Sequence, residues 1–342
     1  MDHILQAFGL HTRDFAITPI KTGYINYTYK LTGIQSFILQ RINIAVFKNP
    51  ALVASNIRLA ADYLAKNSPD YFFLANVRTP AGEEMVYDDD GYPWRLYPFI
   101  NNAITINRAD TVDKAYNAAR GFGELAARLW HCNVTAFQET IPRFHDLSLR
   151  FQQFEESLVR TSQERKQAAD EAIAQALKYR PLVQQYEHLI QRGGLALHVF
   201  HNDTKINNIL FDDLTRQVVS VIDLDTLMPG YFIYDLGDMI RTFVSPVTEE
   251  EEDTTRVVFR DDFYRAVVDG YFSAMSIHLE EPQRALAPFA GAMMTYIMAL
   301  RMLADFLNGN VYYQVQYENQ NLVRATNQFA LLHAINKVFR LV

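Results

Sequence analysis

Cysteine is nearly missing from this chain: Cys132 is the only one among 342 residues. An intrachain disulfide and a cysteine-rich metal site are therefore excluded, and a reducing, cytoplasmic interior is the expected compartment. Positive charge is also short, with 32 Lys and Arg against 39 Asp and Glu and a net charge of -7. Such a balance leaves no electrostatic footprint for nucleic acid or an anionic membrane, so neither is expected as a partner, and any nucleotide has to be held by local groups. No GxSxG turn, HExxH helix or CxxC pair occurs, which leaves serine hydrolysis and zinc chemistry without support. The opening segment MDHILQAFGLHTRDF lacks the basic start and sustained apolar run of a secretory signal and reads as a short amphipathic helix. The most apolar stretch, 289–307, is interrupted by Arg301 and Asp305, so a buried helix is expected there rather than a membrane span. Internal repeats, low-complexity tracts and long Pro/Gly/Ser linkers are absent.

What the chain does have is concentrated between His201 and Asp225, HNDTKINNILFDDLTRQVVSVIDLD. Asp203 opens a short loop and Asn208 closes it, and two strand-like runs, 209–211 and 218–222, return the chain to Asp223. This is an HxDxxxxN loop followed by a metal-type aspartate. The residue types follow from charge. A nucleoside triphosphate needs its negative oxygens neutralised by Mg²⁺, a hard ion that takes carboxylate and amide oxygens, which Asp223 and Asn208 supply. A separate carboxylate, Asp203, can orient the attacking hydroxyl and accept its proton, and Lys205 can place its ammonium on the transferred group. Taken singly, Asn202, Asp203 and Asn208 are good turn formers. Their fixed spacing, with the apolar strand and aspartate that follow, favours the chemical reading.

With HNDTKINNILFD, VIDLDTLMPG and YDLGDMIR, the chain resembles the kinase-like phosphotransferases of small molecules. That group includes aminoglycoside phosphotransferases, choline kinases and N-acetylhexosamine 1-kinases, and these segments are most similar to the last. Weaker likeness runs through FILQRIN (37–43), WRLYPFI (94–100) and RMLADFLNGNVYY (301–313), covering most of the chain. The resemblance implies an α+β, two-lobed protein-kinase-like fold, with ATP and Mg²⁺ as cofactors.

The pattern of residues agrees with two lobes. Residues 16–100 are mostly short alternating runs, read as an antiparallel sheet, with Asp90-Gly91 suited to a tight hairpin and a helix over 50–66 expected to pack on that sheet. Beyond residue 100 the spacing predicts helices over 109–130, 146–161, 167–191, 260–278, 282–308 and 319–339, with a small β insert at 197–223. The expected division is a nucleotide-binding lobe over 1–100 and a helical lobe over 101–342, with the ligand cleft between them. The acidic run 249–253 reads as a solvated loop.

On the nucleotide side, Gly23 is the candidate for a hairpin covering the phosphates, with Asn26 and Thr28 as further donors; an ordinary turn glycine is the alternative. Arg41 falls where the resemblance implies the strand lysine that pairs the α- and β-phosphates, and an exposed strand arginine is the alternative. The usual partner glutamate is missing, because the 50–66 helix carries only Asp62. Phe99 and Ile100 are the candidate linker residues along the adenine edge, and Trp94, Tyr97 and Phe99 also suit a core. Asp225 is either a second Mg²⁺ contact or the cap of the next turn. His201 resembles the histidine that braces the catalytic loop. Asp235 resembles the carboxylate that bonds that loop's backbone, with helix capping as its alternative and Asp238 as a competitor.

For the acceptor, Arg301 and Tyr312 are implied to bond sugar hydroxyls or an acetamido group, against a core arginine and a packing tyrosine. Residues 301–342 hold four basic side chains (Arg301, Arg324, Lys337, Arg340) and two acidic ones (Asp305, Glu318), which suits a neutral sugar better than a polycation. The expected reaction is ATP-dependent phosphorylation of a sugar hydroxyl, the anomeric one of N-acetylglucosamine or N-acetylgalactosamine. A kinase of choline, homoserine, an aminoglycoside or another small alcohol is the first alternative, and a catalytically silent nucleotide-binding module the second.

Overall fold

A computed structural model describes residues 1–20 and 26–342. Five strands form one antiparallel sheet in the order β1-β2-β3-β5-β4: β1 (Ala16–Ile20), β2 (Tyr27–Thr32), β3 (Phe37–Arg41), β4 (Val86–Tyr87) and β5 (Pro93–Pro98). Strand alternation sends Leu31, Phe37, Leu39, Trp94 and Leu96 to one face, where they meet Ile4 and Leu5 of the short N-terminal helix Asp2–Ala7 and Phe8 just after it. The opposite face carries Thr28, Gln40 and Arg95 in one cross-strand row and Lys30, Ile38 and Tyr97 in the next. The β4–β5 hairpin has a longer loop than the Asp90-Gly91 pair predicts. Only Gly91 takes a positive φ, +80°, and Asp88 closes the loop by accepting from the backbone N–H of Asp90 and Tyr92 and from Trp94 Nε1.

The helix Pro50–Asn67 departs from expectation. Val53, Ile57, Ala60 and Leu64 enter the same core as Phe122 and Leu125 of the Val112–Leu129 helix, instead of packing on the sheet. Buried Asn56 holds it there, donating to Gln138 O at 2.7 Å and Leu227 O at 2.9 Å. The helical part is built around Ala287–Leu307, nearly all of it buried, against Leu147–Arg160, Phe232–Phe243 and Gln320–Phe339. Its burial explains why so apolar a helix sits inside the fold. The expected single helix over 167–191 is three, Gln163–Ala168, Asp170–Lys178 and Pro181–Gln191; Pro181 lacks the N–H that would continue the preceding helix.

Short strands frame the 201–225 block: β6 (Ala103–Ile104), β7 (His198–Phe200), β8 (Ile209–Asp212), β9 (Val218–Val221) and β10 (Met228–Gly230). β6, β8 and β9 form one small sheet and β7 with β10 another. The acidic run is an irregular loop with Glu250, Glu252 and Asp253 exposed, as expected of a solvated segment, and it is anchored at its start: Glu249 meets Arg241 at 3.1 Å, and Glu250 accepts from Gln320 and pairs with Arg324.

Candidate active site

β7 delivers the chain to His201, and the backbone then turns sharply, with Asn202 at φ +62°. Asn202 tolerates this conformation because its amide finds local partners, Nδ2 donating to Phe200 O at 2.9 Å and Thr226 O at 3.1 Å. Gly230 on β10 makes the room, since a Cβ there would lie 2.5 Å from Asn202 Oδ1. Asp235, in the first turn of the Phe232–Phe243 helix, accepts the His201 N–H at 3.2 Å and the Asn202 N–H at 2.7 Å. Burial pushes its carboxyl up to about 6, against the opposing pull of His201 and these two bonds. Asp238 takes a different partner, Arg241 at 2.8 Å, which settles the competition between the two carboxylates for the loop.

The loop presents Asp203, Lys205 and Asn208 together. Asp203 Oδ1 lies 3.0 Å from Lys205 Nζ, and Asn208 Nδ2 donates to the Asp203 backbone carbonyl at 2.8 Å and to its Oδ2 at 3.2 Å. Burial works to raise the Asp203 carboxyl, but the charge and hydrogen bond of Lys205 prevail and hold it below the usual carboxylate range. Asp203 is thus ionised at neutral pH and able to accept a proton. Lys205 is stabilised as the ammonium by the same pairing. With Asn208 Nδ2 committed, its Oδ1 is the atom left to meet a cation.

Asp223 follows β9 at φ +58°, a left-handed conformation that turns its carboxylate toward the cleft. Lost hydration in the crowded wall, then the like charges of Asp225 and Asp203, push this carboxyl up to about 7. The neighbouring cations are committed elsewhere, Lys205 to Asp203 and Arg95 to Asp225. A cleft-lining oxygen donor whose proton affinity is raised by lost hydration and by like charges, beside a free amide oxygen, has the composition of a hard divalent-cation site. Asn208 and Asp223 could hold such an ion.

Asp225 does not extend this pair. It is buried in an ion pair with Arg95, and its Oδ2 accepts from Asn26 Nδ2 at 2.8 Å, so its carboxylate is occupied by protein donors. Asn26 in turn accepts the Asn43 N–H at 3.0 Å and serves as a strut rather than a free donor. Arg41 also falls elsewhere. Period-two alternation sends it to the face opposite Gln40, where its guanidinium stacks over Tyr27 and Tyr92 at 4.2 and 4.6 Å. Among the described residues, the cation lining the cleft is Arg95, which the sequence reading does not single out. In WRLYPFI it shares a face with Tyr97 rather than with Trp94, and that alternation was the available signal.

A cavity of about 370 Å³ lies between the sheet and the small sheet of the helical part. Thr28, Gln40, Arg95 and Tyr97 line one side, Asn208 and Asp223 the other, and Phe99 and Ile100 close one end. The Phe99 N–H already donates to Ser36 O at 3.0 Å, and Lys30 Nζ sits 3.8 Å from the centre of its ring. Gly23 lies outside the described residues.

Beyond the catalytic loop, Arg301 places its guanidinium 5.0 Å from the ring centre of Phe144, 5.7 Å from Tyr312 and 5.6 Å from Tyr313. It forms no ion pair among the described residues. Phe144 adjoins the loop through His145, whose Nε2 lies 2.7 Å from Asn202 O. The tyrosines are positioned by Asp305, which accepts the N–H groups of Val311, Tyr312 and Tyr313 at 2.8–2.9 Å.

Residues 16–272 match the Phosphotransferase enzyme family, well over half the chain, and the protein belongs to that family. It is a small-molecule phosphotransferase of the aminoglycoside phosphotransferase and choline kinase type. Among solved structures it is similar to a microcompartment-associated aminopropanol kinase, with a TM-score of 0.59 and 15% identity over 99% of this chain and 96% of that one. It is also similar to spectinomycin phosphotransferase APH(9)-Ia in complex with ADP and spectinomycin, at 0.59 and 12% over 95% and 94%. A third is choline kinase from Cryptosporidium parvum Iowa II, at 0.56 and 12% over 97% and 91%. At these identities the likeness concerns the fold, a small antiparallel sheet joined to a large helical part in the protein-kinase manner.

Proposed function

We propose that this phosphotransferase moves the γ-phosphoryl group of Mg·ATP to a neutral sugar, at the anomeric hydroxyl of N-acetylglucosamine or N-acetylgalactosamine. The observation that carries the choice of acceptor is Arg301, whose guanidinium already covers the faces of Phe144, Tyr312 and Tyr313 without a carboxylate partner. Aromatic faces attract cationic amino alcohols, but here a fixed cation occupies them and repels a second one. Five guanidinium N–H donors and the tyrosine hydroxyls suit sugar oxygens and an acetamido carbonyl. Aminopropanol, choline and spectinomycin are acceptors named for the structural neighbours, and the first two are small amino alcohols without this need.

In this reading Asp203 accepts the proton of the acceptor hydroxyl as its oxygen bonds to the γ-phosphorus and the bond to the β,γ-bridging oxygen breaks, releasing ADP. Asp203 is ionised, with Oδ1 beside Lys205 and Oδ2 accepting from Asn208, and a lone pair left on these oxygens takes that proton. Lys205, charged and next to Asp203, faces the transferred group. Asn208 Oδ1 and Asp223 are the ligands for Mg²⁺, which when bound offsets phosphate charge. Phe99 and Ile100 border the adenine end of the cavity. A cytoplasmic location, where ATP is abundant, agrees with a lone thiol that is buried in the core.

The test is ADP release from Mg·ATP across an acceptor panel of N-acetylhexosamines, other hexoses, choline, ethanolamine, aminopropanol and homoserine. Turnover with an N-acetylhexosamine supports the reading; turnover only with amino alcohols rejects the sugar. An equal, acceptor-independent background in the native chain and Asp203→Asn identifies a silent module.

A further inference from the structure

We propose that Arg95 on β5 is the residue that grips the nucleotide's phosphates, and that Asp225 is its built-in counter-ion rather than a metal ligand. The inference rests on the Mg·ATP reading above and deepens it.

Arg95 is 1% exposed, yet it lines the cleft beside Gln40 and Thr28 and across from Asp223. A guanidinium has five N–H donors. Gln40 Oε1 takes Nε–H at 3.1 Å and one Nη2–H at 2.8 Å, and Asp225 Oδ1 lies in ion-pair contact with Nη1 without an aligned hydrogen bond. At least one hydrogen on each terminal nitrogen is therefore without an acceptor among the described residues. Burying an arginine and leaving two donors open is costly unless a ligand completes them. Among the described residues that line the cavity, Arg95 is the cation, and it stands across from the proposed metal ligands, so an anionic ligand reaching Asp223 passes within its range.

The orientation is over-determined. Thr28 Oγ1 accepts from Gln40 Nε2 at 3.1 Å, which turns Gln40 Oε1 toward Arg95. Asn26 holds the far side of Asp225 at 2.8 Å. A fork held this way loses little entropy on meeting two phosphate oxygens. The scheme also explains the helix without glutamate. Pro50–Asn67 packs into the helical core, its Asp62 lies 3.8 Å from Arg58, and the carboxylate expected on that helix comes instead from the segment just after Asp223.

The test is direct binding of adenosine, ADP and ATP by calorimetry to the native chain and to three variants. Arg95→Met with Asp225→Leu replaces the buried pair by apolar groups, a change that commonly preserves folding. Arg95→Lys keeps the charge and removes the fork, and Arg41→Ala removes the cation on the far face. The native chain should bind ADP and ATP with Mg²⁺. The double variant should lose affinity for ADP and ATP by thirtyfold or more with adenosine changed less than twofold, and Arg95→Lys should lose at least fivefold for ATP. Arg41→Ala should match the native chain. ADP and ATP affinities unchanged in the double variant overturn the proposal while leaving the Mg·ATP reading intact. If the double variant does not fold, unchanged ATP affinity in Arg95→Lys overturns it. Failure of the native chain to bind ATP overturns both.

Discussion

The imidazole of His201 bridges the two halves of the site: its Nδ1 accepts the Asp203 N–H at 3.2 Å and its Nε2–H donates to Ile222 O at 2.9 Å. Those two bonds fix the tautomer, since one nitrogen must accept and the other donate. They also set the distance between the base-bearing loop and the residue before Asp223. His201→Phe keeps the ring against Phe122, now 5.3 Å away, but makes neither bond. Steady-state kinetics should show kcat lowered by roughly 10- to 100-fold, as for a sub-ångström loss of alignment, with KM for ATP little changed. An unchanged kcat would remove the bridging role.

In the proposed sugar reading, Arg301 sets the acceptor preference. Truncating it to alanine removes hydrogen bonds from a charged donor, each on the order of 1.5–3 kcal/mol. For Arg301→Ala, KM for the sugar should rise by roughly tenfold or more while KM for ATP stays within about twofold. The opposite split, with ATP affected and sugar not, contradicts the assignment.

His145 makes stability pH-dependent in the acid range. Burial holds its ring down at about 4 from the ordinary 6.5. Below pH 6.5 the unfolded chain takes up a proton on this residue while the folded chain does not until about pH 4. Its contribution is therefore complete above 6.5, is lost as pH falls through that window, and changes no further below it. The span corresponds to roughly 3 kcal/mol. His145→Gln can still donate to Asn202 O and does not titrate, so its melting temperature should fall less steeply between pH 6.5 and 4 than the native one. Parallel curves would show that another group governs that window.

Gly237 sits where the Phe232–Phe243 helix crosses Ala287–Leu307. A Cβ there would lie 2.3 Å from Ala290 O, a backbone atom that cannot swing aside. Gly237→Ala should cost roughly 2–4 kcal/mol in urea unfolding and, by shifting Asp235, lower kcat as well. Loss of less than about 0.5 kcal/mol would show that the helices separate freely.

Much of this site was readable from the sequence because chemistry at fixed spacing leaves few options. Asp203, Asn208 and Asp223 stand out by residue type and interval; in the structure Asn208 and Asp223 line one cleft, and Asp203 adjoins it through its hydrogen bonds with Asn208. Asp235 meets the backbone of the catalytic loop as the resemblance implies, at the N–H groups of His201 and Asn202. The misreadings concern faces and partners. Arg41 and Arg95 lie in adjacent antiparallel strands, and a single step of alternation decides which looks inward. Asp225 shares Asp223's spacing to the strand, but a buried arginine from another strand claims it, a contact between residues 130 positions apart. The Pro50–Asn67 helix shows the correct periodicity, yet periodicity identifies an apolar face and not the surface that covers it.

The division of labour between Asp203 and Asp223 is tested most directly with Mn²⁺ in place of Mg²⁺. Electron paramagnetic resonance counts free Mn²⁺ in the presence of ATP, and the same samples are quenched after mixing with acceptor. Asp203→Asn is expected to bind Mn·ATP as the native chain does but to transfer phosphoryl groups slower by roughly 10²- to 10⁴-fold. Asp223→Asn is expected to lose both Mn²⁺ binding and transfer. Equal Mn²⁺ binding by both variants, or undiminished transfer by Asp203→Asn, contradicts the assignment of one carboxylate to the metal and the other to the proton.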